Sequence, residues 1–326
     1  MLPAFAAPEA PPVRPGGRRG RGRTGDKPGA VPVPRGGRVV DWAAPGVAGG
    51  GDGRSAVGGV VSAGAGLLAA AVAPVLMAGA LVGGLAGGLA GGGSAGQAPL
   101  PLAGRTVVLD PGHNPGNSTH LAEISRLVDV GNGRKACNTT GTATAGGYTE
   151  AEFNLDVARR AGTILRAEGA RVVFTQNGDR AWGPCVDERA AIATRAHADA
   201  AVSIHADGAP PDGYGFHVIL PATVVAGAAD TRPIVAPSRE LGLALRSAYS
   251  SATGEARSTY LGEGTALVVR SDLGGLNLST VPAVFIECGN MANPADAGRM
   301  TTPAWRESAA QGIAAGISSY LARPSR

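Results

Sequence analysis

The sequence predicts an α/β fold, a three-layer α/β/α arrangement around a mostly parallel or mixed six-stranded central sheet. Three observations carry this. From residue 99 onward, short apolar runs alternate with longer amphipathic stretches, the pattern of strands joined by helical crossovers with helices on both sheet faces. No internal repeat is visible, which argues against solenoids and propellers. The remaining stretch, about 220 residues, is long enough to bury a substantial core.

The elements follow in order. Residues 105–109 are the first strand, ended sharply by Asp110-Pro111-Gly112. Residues 117–147 form a long polar insert rich in Gly and Thr, read as an irregular binding loop or lid. Residues 149–166 are a helix with Phe153, Val157, Ala161 and Ile164 or Leu165 at helical spacing. Thr149 is its natural N-cap, and Glu152 completes a capping box. Strands are expected at 171–175, 200–204, 215–220, 266–270 and 283–286. Helices are expected at 187–196, 237–253 and 303–321.

The first third differs in composition. Residues 1–54 hold nine of the 29 Lys and Arg and four of the 25 Asp and Glu, so the basic excess of the chain lies within them. No aromatic residues interleave the arginines of Arg18-Arg19-Gly20-Arg21-Gly22-Arg23, and the rest of the chain is near neutral, so nucleic-acid binding is not expected. Residues 1–54 are expected to be a disordered Pro/Gly/Arg-rich segment. Residues 55–98 are an uncharged apolar segment, read as an export signal or a retained membrane anchor. Gly96-Gln97-Ala98 supplies a small-x-small site. Residues 99–326 are then the catalytic domain of an exported monomer, with membrane contact only through the apolar segment.

Three cysteines mean that at least one stays unpaired. Cys288 follows an apolar run, where buried thiols are common. Cys137 and Cys185 lie in polar, turn-rich surroundings and are expected to form a disulfide.

The chemistry gathers at strand ends. His113 and His205 each follow an apolar run, Val-Val-Leu-Asp-Pro-Gly-His and Val-Ser-Ile-His. On parallel strands both imidazoles reach the same edge of the sheet, where α/β folds bind ligands. Each could simply bond a backbone carbonyl, but two together invite a divalent metal, and His₂Glu is a common zinc set. Glu150 and Glu152 are the nearby carboxylates. Glu152 is held by the cap, which leaves Glu150 as the third ligand or a solvated first-turn acid. Glu287 ends a third apolar run and could move a proton, or be a rim carboxylate. Arg270 could bind a substrate carboxylate or be a surface arginine. Asp110 is read as a turn residue able to orient His113.

These stretches, with Glu150-Ala-Glu-Phe-Asn-Leu and Pro-Ala-Val-Phe-Ile-Glu287-Cys-Gly-Asn-Met-Ala-Asn, occur in the order seen in a known family. The chain resembles the zinc-dependent N-acetylmuramoyl-L-alanine amidases of the Amidase_3 fold, and looks closest to those of actinobacteria. The resemblance covers residues 105–321. It implies that one Zn2+ is bound by His113, Glu150 and His205 and that Glu287 is the catalytic acid/base. The ligand Glu stands four residues before Asn154 in the family pattern, which selects Glu150. The implied substrate is peptidoglycan, cut between N-acetylmuramic acid and L-alanine. A zinc peptidase or deacetylase acting on another wall amide, and a non-catalytic wall-binding protein, are the alternatives. Asn114-Pro115 and the 117–147 insert depart from the common pattern.

Overall fold

A computed structural model describes residues 99–322. The expected disordered segment (1–54) and apolar segment (55–98) lie outside the described residues. Six strands form one sheet: β1 (Thr106–Pro111), β2 (Arg171–Phe174), β3 (Ala200–Asp207), β4 (His217–Pro221), β5 (Leu267–Arg270) and β6 (Ala283–Asn290). Their order is β2-β1-β3-β6-β4-β5. The first four in that order are parallel, β4 is antiparallel to β6, and β5 is parallel to β4. The sheet is therefore mixed.

Side chains alternate across each strand, so each strand feeds two cores. On one face, Val107, Leu109, Val202, Ile204, Val284 and Ile286 pack beneath three long helices. These are α1 (Glu150–Ala167), α3 (Arg232–Thr253) and α4 (Pro303–Leu321). On the other face, Val108, Ala201, Ile219 and Ala283 meet Ala193 of α2 (Val186–Arg195) and Leu276 of a one-turn helix. This is the expected three-layer arrangement.

Most boundaries fall where the patterning put them, and the departures have local causes. The helix expected at 237–253 is longer at its start. It begins at Arg232, with Pro233 in the first turn and Pro237 inside the helix. The insert is more regular than its composition suggests. It contains one-turn helices at Pro115–Thr119 and Leu121–Ile124 and a hairpin pairing Leu127–Asp129 with Arg134–Ala136. Three-residue strands are too short to show alternation in a sequence. Among the described residues, no helix is long and apolar enough to cross a membrane.

Cys137 and Cys185 form the expected disulfide, and Cys288 is a buried free thiol. The bridge ties the insert to the N-cap of α2 across a sequence separation of 48 residues. Replacing both half-cystines by serine is expected to lower unfolding stability by about 4 kcal/mol, since the open chain regains loop entropy. Denaturant titration of the two proteins measures this, and a loss under about 1 kcal/mol would contradict it.

Candidate active site

The site is built on backbone register. β3 and β6 run past their predicted ends, so His205 and Glu287 lie inside strands rather than beyond them. The sequence placed the strand ends at the last apolar residue, but the ladder continues through polar positions because neighbouring strands still satisfy the backbone. His205 pairs directly with Glu287, and Glu287 pairs on its other side with His217 of β4. The register changes just beyond Glu287, between it and Asn290. Bulges of this kind recur beside active sites.

His113 arrives differently. It lies two residues past β1 with φ of 60°, a left-handed conformation uncommon outside glycine. Arg189 of α2 holds it there. The buried guanidinium donates to the His113 carbonyl at 2.6 Å and the Pro111 carbonyl at 2.7 Å. It also pairs with Asp110 at 2.5 Å. Asp110 further accepts from Thr175 and Ser203. Asp110 thus acts on the turn through Arg189, and no bond joins it to the His113 ring. Burial opposes ionisation of Asp110, but Arg189 and the two hydroxyls hold it below its ordinary value.

Glu150 completes the set from the first position of α1. Thr149 and Glu152 form the expected capping box, so Glu152 is turned away and Glu150 is free to face the sheet. Its Oε1 lies 3.1 Å from His113 Nε2 and 2.9 Å from His205 Nδ1. Its Oε2 accepts from the Thr142 amide at 3.0 Å. Ligand atoms of His113, Glu150 and His205 all lie within 4.8 Å of one another. Asn154, one turn further along α1, donates to the Gly112 carbonyl at 3.2 Å. The other ring nitrogen of His113 lies 3.1 Å from the Thr139 carbonyl, the kind of outer partner that fixes an imidazole ligand. Burial opposes the charge on Glu150, but the two imidazoles hold it well below the usual range. It is therefore an ionised carboxylate between two imidazoles, a donor set that suits zinc.

Two glycines leave room for this cluster. A Cβ on Gly112 would lie 2.2 Å from His205 Cε1, and one on Gly141 would lie 2.8 Å from Glu150 Oε2. Gly112→Ala should therefore push the His205 ring aside and weaken the affinity of the cluster for a metal ion roughly 10–100-fold, the range seen when a ligand loses its support. Competition with a chelator measures this; unchanged affinity would show that the ring can yield.

Glu287 has a different environment. Burial and the Asp207 and Glu150 carboxylates push it well above the usual carboxylate range. A raised affinity for its proton suits a carboxyl to act as a general acid. Beside the two imidazoles lies a cavity of about 340 Å³, bounded by Phe285, Leu273 and, from the insert, Lys135 and Thr139. Arg270 is bound by Asp272 at 2.8 and 2.7 Å, so its guanidinium already has a carboxylate partner.

Sequence reasoning missed Arg189 and Thr139, and used Asn154 only as a marker for Glu150. Arg189 left one readable signal: a charge among the apolar positions of α2, beside Ala190 and Ala193, all buried.

The sequence profile described as N-acetylmuramoyl-L-alanine amidase, Amidase_3, matches residues 107–319. The chain belongs to this family. It is 39% identical over 230 residues to an N-acetylmuramoyl-L-alanine amidase of Mycobacterium tuberculosis, covering 70% of this chain and 91% of that one. Its fold matches the crystal structure of the amidase Ami1 from Mycobacterium smegmatis, at TM-score 0.62 and 42% identity over 68% of this chain and 98% of that one. The apo Ami1 of Mycobacterium abscessus gives TM-score 0.61 and 41% identity, covering 67% and 99%. As an N-acetylmuramoyl-L-alanine amidase, the protein is a hydrolase that cleaves peptidoglycan between N-acetylmuramic acid and the stem-peptide L-alanine. These three relatives are mycobacterial, in line with the actinobacterial resemblance of the sequence. The cluster of His113, Glu150 and His205 can hold a metal ion.

Proposed function

We propose that His113, Glu150 and His205 bind one zinc ion and that Glu287 is the catalytic acid/base of amide hydrolysis. The observation that carries this is the convergence of the three ligand atoms beside a strand pair that sets Glu287 against His205. Bound there, zinc would supply a Lewis acid for the scissile carbonyl and lower the pKa of water to about 7. Glu287 accepts the proton of the attacking water. It returns that proton to the L-alanine nitrogen, which leaves as a free amine, and the lactyl group of muramic acid leaves as a carboxylic acid. Arg189 and Thr139 keep His113 in place throughout. The insert walls one side of the cavity that receives the substrate.

The reaction belongs to the cell envelope. The peptidoglycan substrate lies outside the cytoplasm, and a Cys137–Cys185 bridge agrees with an oxidising compartment. Export through residues 55–98, as a cleaved signal or an anchor, supplies the route, and the enzyme acts as a monomer.

Two measurements on the purified protein test the reading together. Metal analysis should find zinc near one per chain, lost along with activity in His205→Ala. Digestion of peptidoglycan should release peptides with a new L-alanine amino terminus and leave free lactyl carboxylates on the glycan. Cleavage within the stem peptide, or release of acetate, would replace the amidase reading with a peptidase or a deacetylase.

A further inference from the structure

Glu287 has a neighbour on each side. His205 occupies one, and His217 of β4 occupies the other. His217 is 1% exposed and makes no use of its Nδ1. Above it stands Tyr260, whose ring meets the imidazole edge-on at 5.8 Å between centroids. The Tyr260 segment is fixed by backbone bonds to the chain entering β4: Ser258 N donates to Phe216 O at 2.8 Å and Thr259 N to Tyr214 O at 3.0 Å. Beneath the ring, Gly213 leaves the necessary gap, since a Cβ there would lie 2.8 Å from Tyr260 Cδ1.

Glu287 Oε2 and His217 Nδ1 are buried with no hydrogen-bond partner, and the buried Tyr260 Oη in the same corner lies beside the Asp207 and Ser258 side chains. Buried polar atoms are rarely left unpaired, and an internal water takes about three bonds from such groups. These three belong to side chains already set against one another by the β6–β4 register and the ring contact. Between them they offer donors and acceptors for one water. Burial and Arg270 push His217 down to about 4, so the ring is neutral and carries one donor and one acceptor nitrogen. Burial, Asp207 and Glu287 push the Tyr260 phenol upward, so it keeps its proton, for which the Asp207 carboxylate is an acceptor, and its oxygen can accept from the water.

We propose that His217 and Tyr260 are positioning residues for Glu287, acting through one buried water that holds its carboxyl aimed at the reacting amide. This rests on the reading of Glu287 as the acid/base. The water sits on the side of Glu287 away from His205. It is therefore distinct from the water that attacks the substrate, and it is not consumed.

The test uses the zinc-loaded full chain. Tyr260→Phe removes one oxygen, and His217→Leu removes the imidazole at similar volume. Each should lower kcat about tenfold, short of the ~10²–10⁴-fold loss expected when the acid/base itself is removed. KM, zinc content and Tm should stay near the parent values. His217→Asn, which keeps a polar atom near the Nδ1 position, should recover most of the loss. Because both side chains act through one water, the double variant His217→Leu/Tyr260→Phe should be no slower than the worse single variant. A crystal structure of the parent should show the water bonded to all three atoms, and that of Tyr260→Phe should show it displaced or weak. Values of kcat within twofold of the parent, losses that multiply in the double variant, a change in KM alone, or no water in the corner would each overturn the proposal. If His217→Leu does not fold, Tyr260→Phe and the parent crystal structure decide. Retained activity in Glu287→Ala would instead remove the reading beneath it, a separate outcome from any of these.

Discussion

Glu287→Ala should lower kcat by about 10²–10⁴-fold while zinc stays bound near one per chain. The separation of the two effects follows from the geometry. Glu287 lies on β6, paired with His205, but the three-residue cluster that can hold a metal comes from the β1 turn, α1 and β3. On the proposed mechanism, removing Glu287 takes away the proton carrier and leaves His113, Glu150 and His205 intact. Glu287→Gln keeps the shape and should be as inactive, because an amide cannot accept and return the proton. Rates measured on peptidoglycan alongside zinc analysis give the result. Activity within tenfold of the parent would remove Glu287 from the mechanism.

Arg189→Met should be the most damaging change to stability. It leaves Asp110 buried without its cation, a loss of about 3–5 kcal/mol for breaking one side of a buried pair. For a domain of this size that is a fall in Tm of very roughly 10 °C. Adding Asp110→Asn should recover part of it, since no buried charge then lacks a partner. The pH dependence should also change sign. In the parent, Asp110 titrates below its unfolded value, so its contribution is present above about pH 4 and lost as pH falls further. Without Arg189, burial dominates and raises the folded value. Stability should then be greater in acid and fall as pH rises through the unfolded value. A variant that keeps the parent's Tm and pH profile would show that Ser203 and Thr175 suffice for Asp110. The same substitution frees the His113 carbonyl, so zinc affinity should weaken with it.

The residues of the proposed site stood out in the sequence because strands announce their ends. His113, His205 and Glu287 each stand after an apolar run, and the capping box separated Glu150 from Glu152 without any tertiary knowledge. The sheet was legible for the same reason, down to its six strands. What surrounds the set was not. Arg189 reaches its partners only after α2 is laid across the sheet, and its bonds to Asp110 and to the Pro111 and His113 carbonyls span more than 70 residues. Thr139 lies in an insert whose hairpin is too short to carry a pattern. The lengths of β3 and β6 were underestimated because a polar residue in a strand looks like its end, when here it is the working surface. His217 passed unnoticed for that reason as well: alone on β4 it is one more strand residue, and only the β6 pairing gives it a neighbour worth serving.

That pairing has a consequence for how the protein can vary. His205, Glu287 and His217 stand abreast on three adjacent strands, and successive residues of β6 face opposite sides of the sheet. A slip of one position in β6 would carry Glu287 into the core beneath α3 and α4 and bring Cys288 to the working side. Chain length between residues 283 and 287 is therefore under tighter constraint than side-chain identity there. A conservative swap at Val284 or Ile286 disturbs packing locally. A single deletion rewrites the active side of the sheet while leaving its composition almost the same. The connecting loops carry no such frame, and lineage-to-lineage differences in length are expected to collect in them.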